Sequence, residues 1–161
     1  MSKELSKYNF ENTEEFSLNN LITEARIVDI YDGDTCTCII PFNNSYYKFN
    51  IRLEGIDTCE MKSKDDKQKK LALEAKKRLC CLISNDLDNI DINITRKELR
   101  KLLNEKCYII KIKCGEFDKY GRLLAYLFDN KCDCQNYEES YNYCLIKEKL
   151  AYAYDGGTKQ K

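Results

Sequence analysis

The chain has 161 residues, 43% of them hydrophobic and 34% charged, with a formal net charge of zero at pH 7. That length suits one domain with its own core, and no apolar run approaches the roughly 18 residues of a membrane span. Ten cysteines and no histidine exclude Ser-His-Asp and Cys-His chemistry and every histidine-based metal site, leaving carboxylates, Arg, Lys, Tyr or a metal for any catalysis.

Residues 1–24 hold five acids against two lysines and read as a flexible acidic extension. They contain no apolar signal core, which predicts an intracellular protein. From Ala25 the pattern turns to strand. "ARIVDIY" runs into a turn at Asp32-Gly33, and "DTCTCIIPF" follows with Cys36, Cys38 and Ile40 on one apolar face. Asn43-Asn44 is the expected hairpin tip, and "SYYKFNIRLEGID" is a third strand, rich in β-branched and aromatic residues, with Arg52 on its polar face. In "DDKQKKLALEAKKRLCCLIS", Leu71, Ala72, Ala75, Leu79, Leu82 and Ile83 keep the helical period behind a cap at Asp65 or Asp66. Residues 85–104 form a polar insertion, in which Thr95 and Glu98 make a capping box for "RKELRKLLN". "CYIIKIKC" and "LLAYLFD" are strands either side of the tight turn "EFDKYGR", and "YEESYNYCLIKEKLAYAY" is a helix with an extended, tyrosine-bearing tail. Three strands, a helix, two strands and a helix match an OB-type barrel, although other α+β folds share that order.

Two acidic turns stand out. "DGDT" sets Asp32 and Asp34 around Gly33, and "EGIDTCE" brings Asp57 and Glu60. Carboxylates this close signal a solvated turn, a cation site or a catalytic base. Asp34, Asp57 and the backbone carbonyls nearby are hard oxygen donors that suit Ca²⁺ or Mg²⁺ rather than zinc. Arg52 and Arg122 stand at strand or turn ends, and their guanidinium forks match phosphate oxygens. A divalent ion, two arginines and a carboxylate base make a minimal phosphodiesterase. Residues 61–78 add eight Lys/Arg against three acids, a stretch able to hold a polyanion or to serve as a solvated helix face. The CxC pairs Cys36/Cys38 and Cys132/Cys134 and the vicinal Cys80-Cys81 do not fit common zinc spacings, so reduced, mostly buried thiols are expected. Zinc held by Cys132, Cys134 and two others is the minor alternative.

In order and separation, "DGDT", "RLEGIDTCE", "DKYGRLLAY" and "LAYAY" resemble the staphylococcal nuclease (thermonuclease) family, over residues 25–161. The resemblance implies a five-stranded OB-fold barrel with helices packed on it. It also implies a Ca²⁺-dependent endonuclease acting on DNA and RNA with little sequence specificity and leaving 3′-phosphates, with Mg²⁺ or Mn²⁺ as alternative ions. Carried over by motif, it makes Asp34 and Asp57 carboxylate ligands of the metal and Thr58 a carbonyl ligand. Glu60 becomes the general base, while Arg52 and Arg122 hold the scissile phosphate and its transition state. Lys119 and Tyr120 would hold a neighbouring terminal phosphate, Tyr152 a phosphate oxygen, and Tyr154 would flank a base. A monomer without membrane contact is expected.

The chain departs from that pattern in several places. Cys59 stands where the family's turn has proline, which loosens the segment carrying Glu60. Residues 85–104 and "NKCDCQNYEES" are longer than the compact pattern, and the near-neutral charge contrasts with the basic secreted members. The "YDGGTK" ending resembles intracellular and large-virus members. An alternative of another class is a non-catalytic nucleic-acid-binding module, as in degenerate copies of the domain. Those copies tend to lose the catalytic Arg or Glu that this chain keeps.

Overall fold

Alternating side chains close five strands into a barrel in the computed structural model, which describes residues 3–154. The strands among the described residues begin with β1 (Ile22–Asp32), β2 (Thr35–Phe42), β3 (Ser45–Leu53) and the two-residue β4 (Ile56–Asp57). After the helical section come β5 (Ile109–Phe117), β6 (Leu123–Phe128) and the two-residue β7 (Tyr152–Ala153). The barrel closes in the order β1-β2-β3-β6-β5, and β4 pairs with β7 outside it. Antiparallel ladders join every neighbour except β3 and β6, which run parallel. The fold is α+β, an OB-type barrel with helices packed on it. "YDGGTK" begins at residue 154, and its remainder lies outside the described residues.

The barrel interior follows the alternation read from the sequence. Cys36, Cys38, Ile40, Ile51, Leu53, Ile110, Ile112, Leu123 and Leu127 are all buried, each Leu or Ile contributing about 1.5–3 kcal/mol by leaving water. Alternation puts Tyr47 on the same face as Ile51 and Leu53, yet it is exposed, although its cross-strand partner Ile40 is fully buried. At the hairpin tip Asn43 and Asn44 take φ of 51° and 63°, the left-handed pair that a two-residue hairpin needs.

α1 (Asp66–Ile83) starts where Asp65 accepts from the Lys67 N–H, and it buries Ala72, Ala75, Leu79 and Cys80. α2 (Arg96–Glu105) begins with the full Thr95–Glu98 capping box. It packs on β1 through Leu99 and Leu103, and Asn104 donates to the Val28 carbonyl at 2.9 Å. This covering helix, with two register shifts in β1, explains why Ile27, Val28, Asp29 and Ile30 are buried in succession where a half-covered strand would alternate. α3 (Tyr141–Lys147) is pinned by the fully buried Asn142. Its amide donates to the Glu54 and Ala125 carbonyls and accepts from the Leu127 N–H.

β1 begins at Ile22, three residues before the sequence pattern turns to strand, because β5 already pairs there, Ile22 with Lys113. The boundary drawn at residue 24 therefore falls inside β1. Ahead of it Leu18 is buried, and Phe16 meets Phe42 edge-on at 5.8 Å. Among the described residues no helix is long and apolar enough to cross a membrane.

Candidate active site

Both acidic turns meet at one end of the barrel. The β1–β2 turn folds back because Asp32 accepts from the Asp34 N–H at 3.1 Å. Gly33 is required there by close approach: a Cβ would stand 2.7 Å from the Cβ of Ala75 and 3.1 Å from Cγ2 of Thr58. Asp34 is buried and heavily bonded. Its Oδ2 accepts from the Thr58 N–H at 2.9 Å and the Thr58 hydroxyl at 3.0 Å, and its Oδ1 from the Thr35 hydroxyl at 3.0 Å. Arg52 reaches Asp34 with one amino group at 3.2 Å and Asp57 with the other at 3.0 Å. Register explains the meeting, since β2 pairs Thr35 with Arg52.

Together Asp32, Asp34, Arg52, Asp57, Glu60 and Arg122 line one cleft of about 430 Å³. Asp34, Asp57 and Thr58 are buried, whereas Glu60 is exposed at the rim. Burial alone would raise the Asp34 carboxyl. Hydrogen bonding with Asp32, the Arg52 charge and the Thr58 N–H outweigh it and hold Asp34 below the ordinary carboxylate range. Burial and the neighbouring Asp34 charge push Asp32 up to about 7.

Arg122 arrives from the turn between β5 and β6. Asp118 accepts from its Nε at 2.8 Å and its backbone N–H at 2.9 Å, while Gly121 takes the φ of +83° that closes the turn. Beyond Arg52 and Arg122 lies a second cleft of about 710 Å³, lined by Glu54, Lys119, Tyr120, Leu124 and Tyr154 among others. The two arginines form the wall between an acidic cleft and an aromatic one. Lys119 and Arg122 stand 5.3 and 5.4 Å from the Tyr120 ring, and the Arg52 guanidinium is 5.9 Å from the Tyr154 ring. The tail reaches the site because β7 pairs Tyr152 with Asp57, and the Tyr154 N–H donates to the Gly55 carbonyl. Burial first, then the charges of Asp57, Cys59 and Asp34, push the Tyr152 hydroxyl up to about 12.

Of the residues singled out in the sequence, Asp34, Arg52, Asp57, Glu60, Lys119, Tyr120, Arg122 and Tyr154 line the two adjoining clefts, while Thr58 lies buried against Asp34 and Tyr152 lines a third cleft beside Cys59. The acidic cleft offers a divalent cation the hard oxygen donors of Asp32, Asp34 and Asp57, but Arg52 already pairs with Asp34 and Asp57, and the three carboxylates do not converge on one point. Sequence reasoning noted Asp32 without giving it a role, and it missed Asp118, whose only signal is its place in "FDKYGR", and Tyr31, which also lines the cleft. All ten cysteines are free thiols. Among the described residues one group of three metal-ligand types occurs, Cys132 with Asp133 and Glu139, and it does not include Cys134. Cys132 and Cys134 touch, the Cys134 N–H donating to the Cys132 Sγ at 3.3 Å, but no further pair of ligands joins them among the described residues, so zinc held by Cys132, Cys134 and two others finds no support.

Residues 50–161 match the family model described as "Staphylococcal nuclease homologue". The match takes in Arg52, Asp57, Glu60, Arg122 and the tyrosine tail, and leaves Asp34 outside it. Comparison with curated proteins gives no match. A domain of this kind carries a nuclease-like or nucleic-acid-related function, and the chain belongs to the family of staphylococcal nuclease homologues.

Proposed function

We propose that the protein is a divalent-metal-dependent endonuclease, hydrolysing phosphodiester bonds of DNA and RNA with little sequence specificity and leaving 3′-phosphates. The observation that carries this reading is the shared cleft. Two guanidiniums, Arg52 and Arg122, line the same space as the carboxylates of Asp34, Asp57 and Glu60, as splitting a phosphodiester requires. Asp34, Asp57 and the Thr58 carbonyl would hold Ca²⁺, with Mg²⁺ or Mn²⁺ as alternatives. Bound there, the ion would supply charge to offset that of the phosphate and to make a bound water more acidic.

The side chains divide the remaining work. Arg52 and Arg122 grip the scissile phosphate from two sides, and their fixed guanidiniums meet the charge that builds on its oxygens as water attacks. Asp118 holds the Nε of Arg122, which orients the fork that faces the departing oxygen. Glu60, at the open rim, takes the proton of the attacking water. Lys119 and Tyr120 hold the neighbouring terminal phosphate, Tyr152 reaches a phosphate oxygen, and Tyr154 flanks a base. Base stacking is worth about 1–3 kcal/mol whatever the base, which favours low sequence specificity. Ten free thiols suit an intracellular setting, and the reading needs only a monomer.

Digestion of single-stranded DNA and RNA with Ca²⁺ and with a chelator tests this. Cleavage is expected with the ion and none with the chelator, and Glu60→Gln and Arg122→Ala should each lower the rate by about 10² or more. Oligonucleotide binding without cleavage in Ca²⁺, Mg²⁺ or Mn²⁺ would instead favour a non-catalytic binding module.

A further inference from the structure

The sheet face that carries Arg52 continues past the cleft. β2 and β3 pair Thr35 with Arg52, Thr37 with Asn50 and Ile39 with Lys48. These pairs form a row on the side of the ribbon opposite the buried Cys36, Cys38 and Ile51. At about 3.4 Å per residue, Lys48 stands roughly 14 Å along the strand from Arg52. There the row enters a groove of about 530 Å³, whose lining includes Thr37, Lys48 and Asn50 from the sheet and Arg96 and Arg100 from α2.

This groove is cationic, with Lys48, Arg96 and Arg100 against Asp29 alone. Asp29 Oδ2 accepts two N–H bonds from Arg96, at 3.1 and 2.7 Å, and one from Arg100 at 2.9 Å. Each guanidinium has five donors, so the clamp uses only a minority of them, and the two side chains remain 48% and 54% exposed. Asp29 Oδ1 is buried without a hydrogen-bond partner, but as an acceptor it offers nothing to a phosphate, so the free guanidinium N–H groups and Lys48 are what an anion meets there. The Arg96 guanidinium lies 5.0 Å over the Tyr31 ring, and Tyr31 also lines the acidic cleft. Tyr31 lines the cleft and Arg96 lines the groove, so this ring contact joins the two.

We propose that the groove is a second subsite for the substrate strand. A single-stranded polynucleotide leaving the cleft stacks a base on Tyr31 and lays a phosphate further along between Lys48 and the Arg96–Arg100 pair. Basic groups interleaved with a ring on the strand 2–3 face suit a single strand on an OB barrel. α2 belongs to the long insertion, so the insertion lengthens the grip on the strand. This inference rests on the cleft being the cleavage site.

The test compares the full chain with Lys48→Glu, since Lys48 is exposed and stands outside the Asp29 clamp that docks α2. Hydrolysis of a dinucleotide is set against that of a single strand of about 12 nucleotides, as DNA and as RNA. The longer strand is also titrated by fluorescence anisotropy in chelator across about 50–200 mM salt. The expected result is a ratio of kcat/KM, long over short, that falls about tenfold through KM. The salt slope should flatten by about 0.7 for each phosphate that the variant no longer neutralises. Equal loss on both substrates, or an unchanged ratio with an unchanged slope, overturns the subsite. Should the protein cut neither substrate, the chelator titration decides separately. Weaker binding with a flatter slope upholds the subsite while the nuclease reading fails, and unaltered binding overturns the subsite.

Discussion

Arg52 bridges two turns that lie apart in the chain, reaching Asp34 and Asp57 with only 11% of its side chain exposed. Removing one partner from a buried ion pair costs about 3–5 kcal/mol, because the charge left behind is uncompensated. Arg52→Ala should lose stability on that scale, and it leaves two buried carboxylates whose repulsion a divalent cation relieves. Urea unfolding with and without Ca²⁺ checks this: the midpoint of Arg52→Ala should rise more on adding Ca²⁺ than that of the unaltered protein. A variant whose midpoint ignores Ca²⁺ would argue against a cation between these groups. At this scale the sequence was legible where chemistry is local. Gly33 between two aspartates announces a turn, and Arg52 stands on the polar face by alternation alone. The rise of Asp32 to about 7 was not legible, since it arises from burial and from the distance to Asp34.

At the scale of elements, the acidic turn and α1 meet at a single glycine. With 2.7 Å between a Cβ on residue 33 and the Ala75 Cβ, Gly33→Ala must push α1 away or shift the turn. Overpacking of this kind costs about 1–3 kcal/mol. The same shift draws Asp34 from the Thr58 N–H, so Ca²⁺-dependent cleavage should fall further than stability accounts for. Thermal melts and single-strand digestion of the same sample separate the two effects, and a variant with ordinary activity would mean that the turn tolerates displacement. The elements that sequence read well are those set by neighbours in the chain: the Asp65 cap, the Thr95–Glu98 box and the Asn43-Asn44 hairpin. β4 and β7 escaped it because each has two residues and finds its partner about a hundred positions away. The docking of α2 escaped it too, because an aspartate inside a strand reads as solvent-facing until Arg96 and Arg100 come down on it.

Across the whole molecule, guanidinium–carboxylate pairs tie segments that are remote in sequence, Asp29 joining β1 to α2 and Glu148 joining the end of α3 to Arg78 of α1. Burial pushes the Asp29 carboxyl up, but hydrogen bonds and charge from Arg96 and Arg100 outweigh it, and the group ends below its ordinary 3.8. Lys76 of α1 adds a third positive charge that Asp29 feels, and all three cations keep their charge in acid. A carboxylate lowered by folding adds stability that is complete above its unfolded pKa and disappears as the pH falls through the folded one. Both arginines are about half exposed, so water screens part of the attraction. The gap in urea midpoint between the unaltered chain and Asp29→Asn should therefore be constant from neutral pH down to about pH 5 and close below about pH 4. Because Asn keeps the shape but not the charge, and leaves Leu99 and Leu103 in place, equal midpoints at neutral pH would mean that packing, rather than the ion pair, holds the insertion on the barrel.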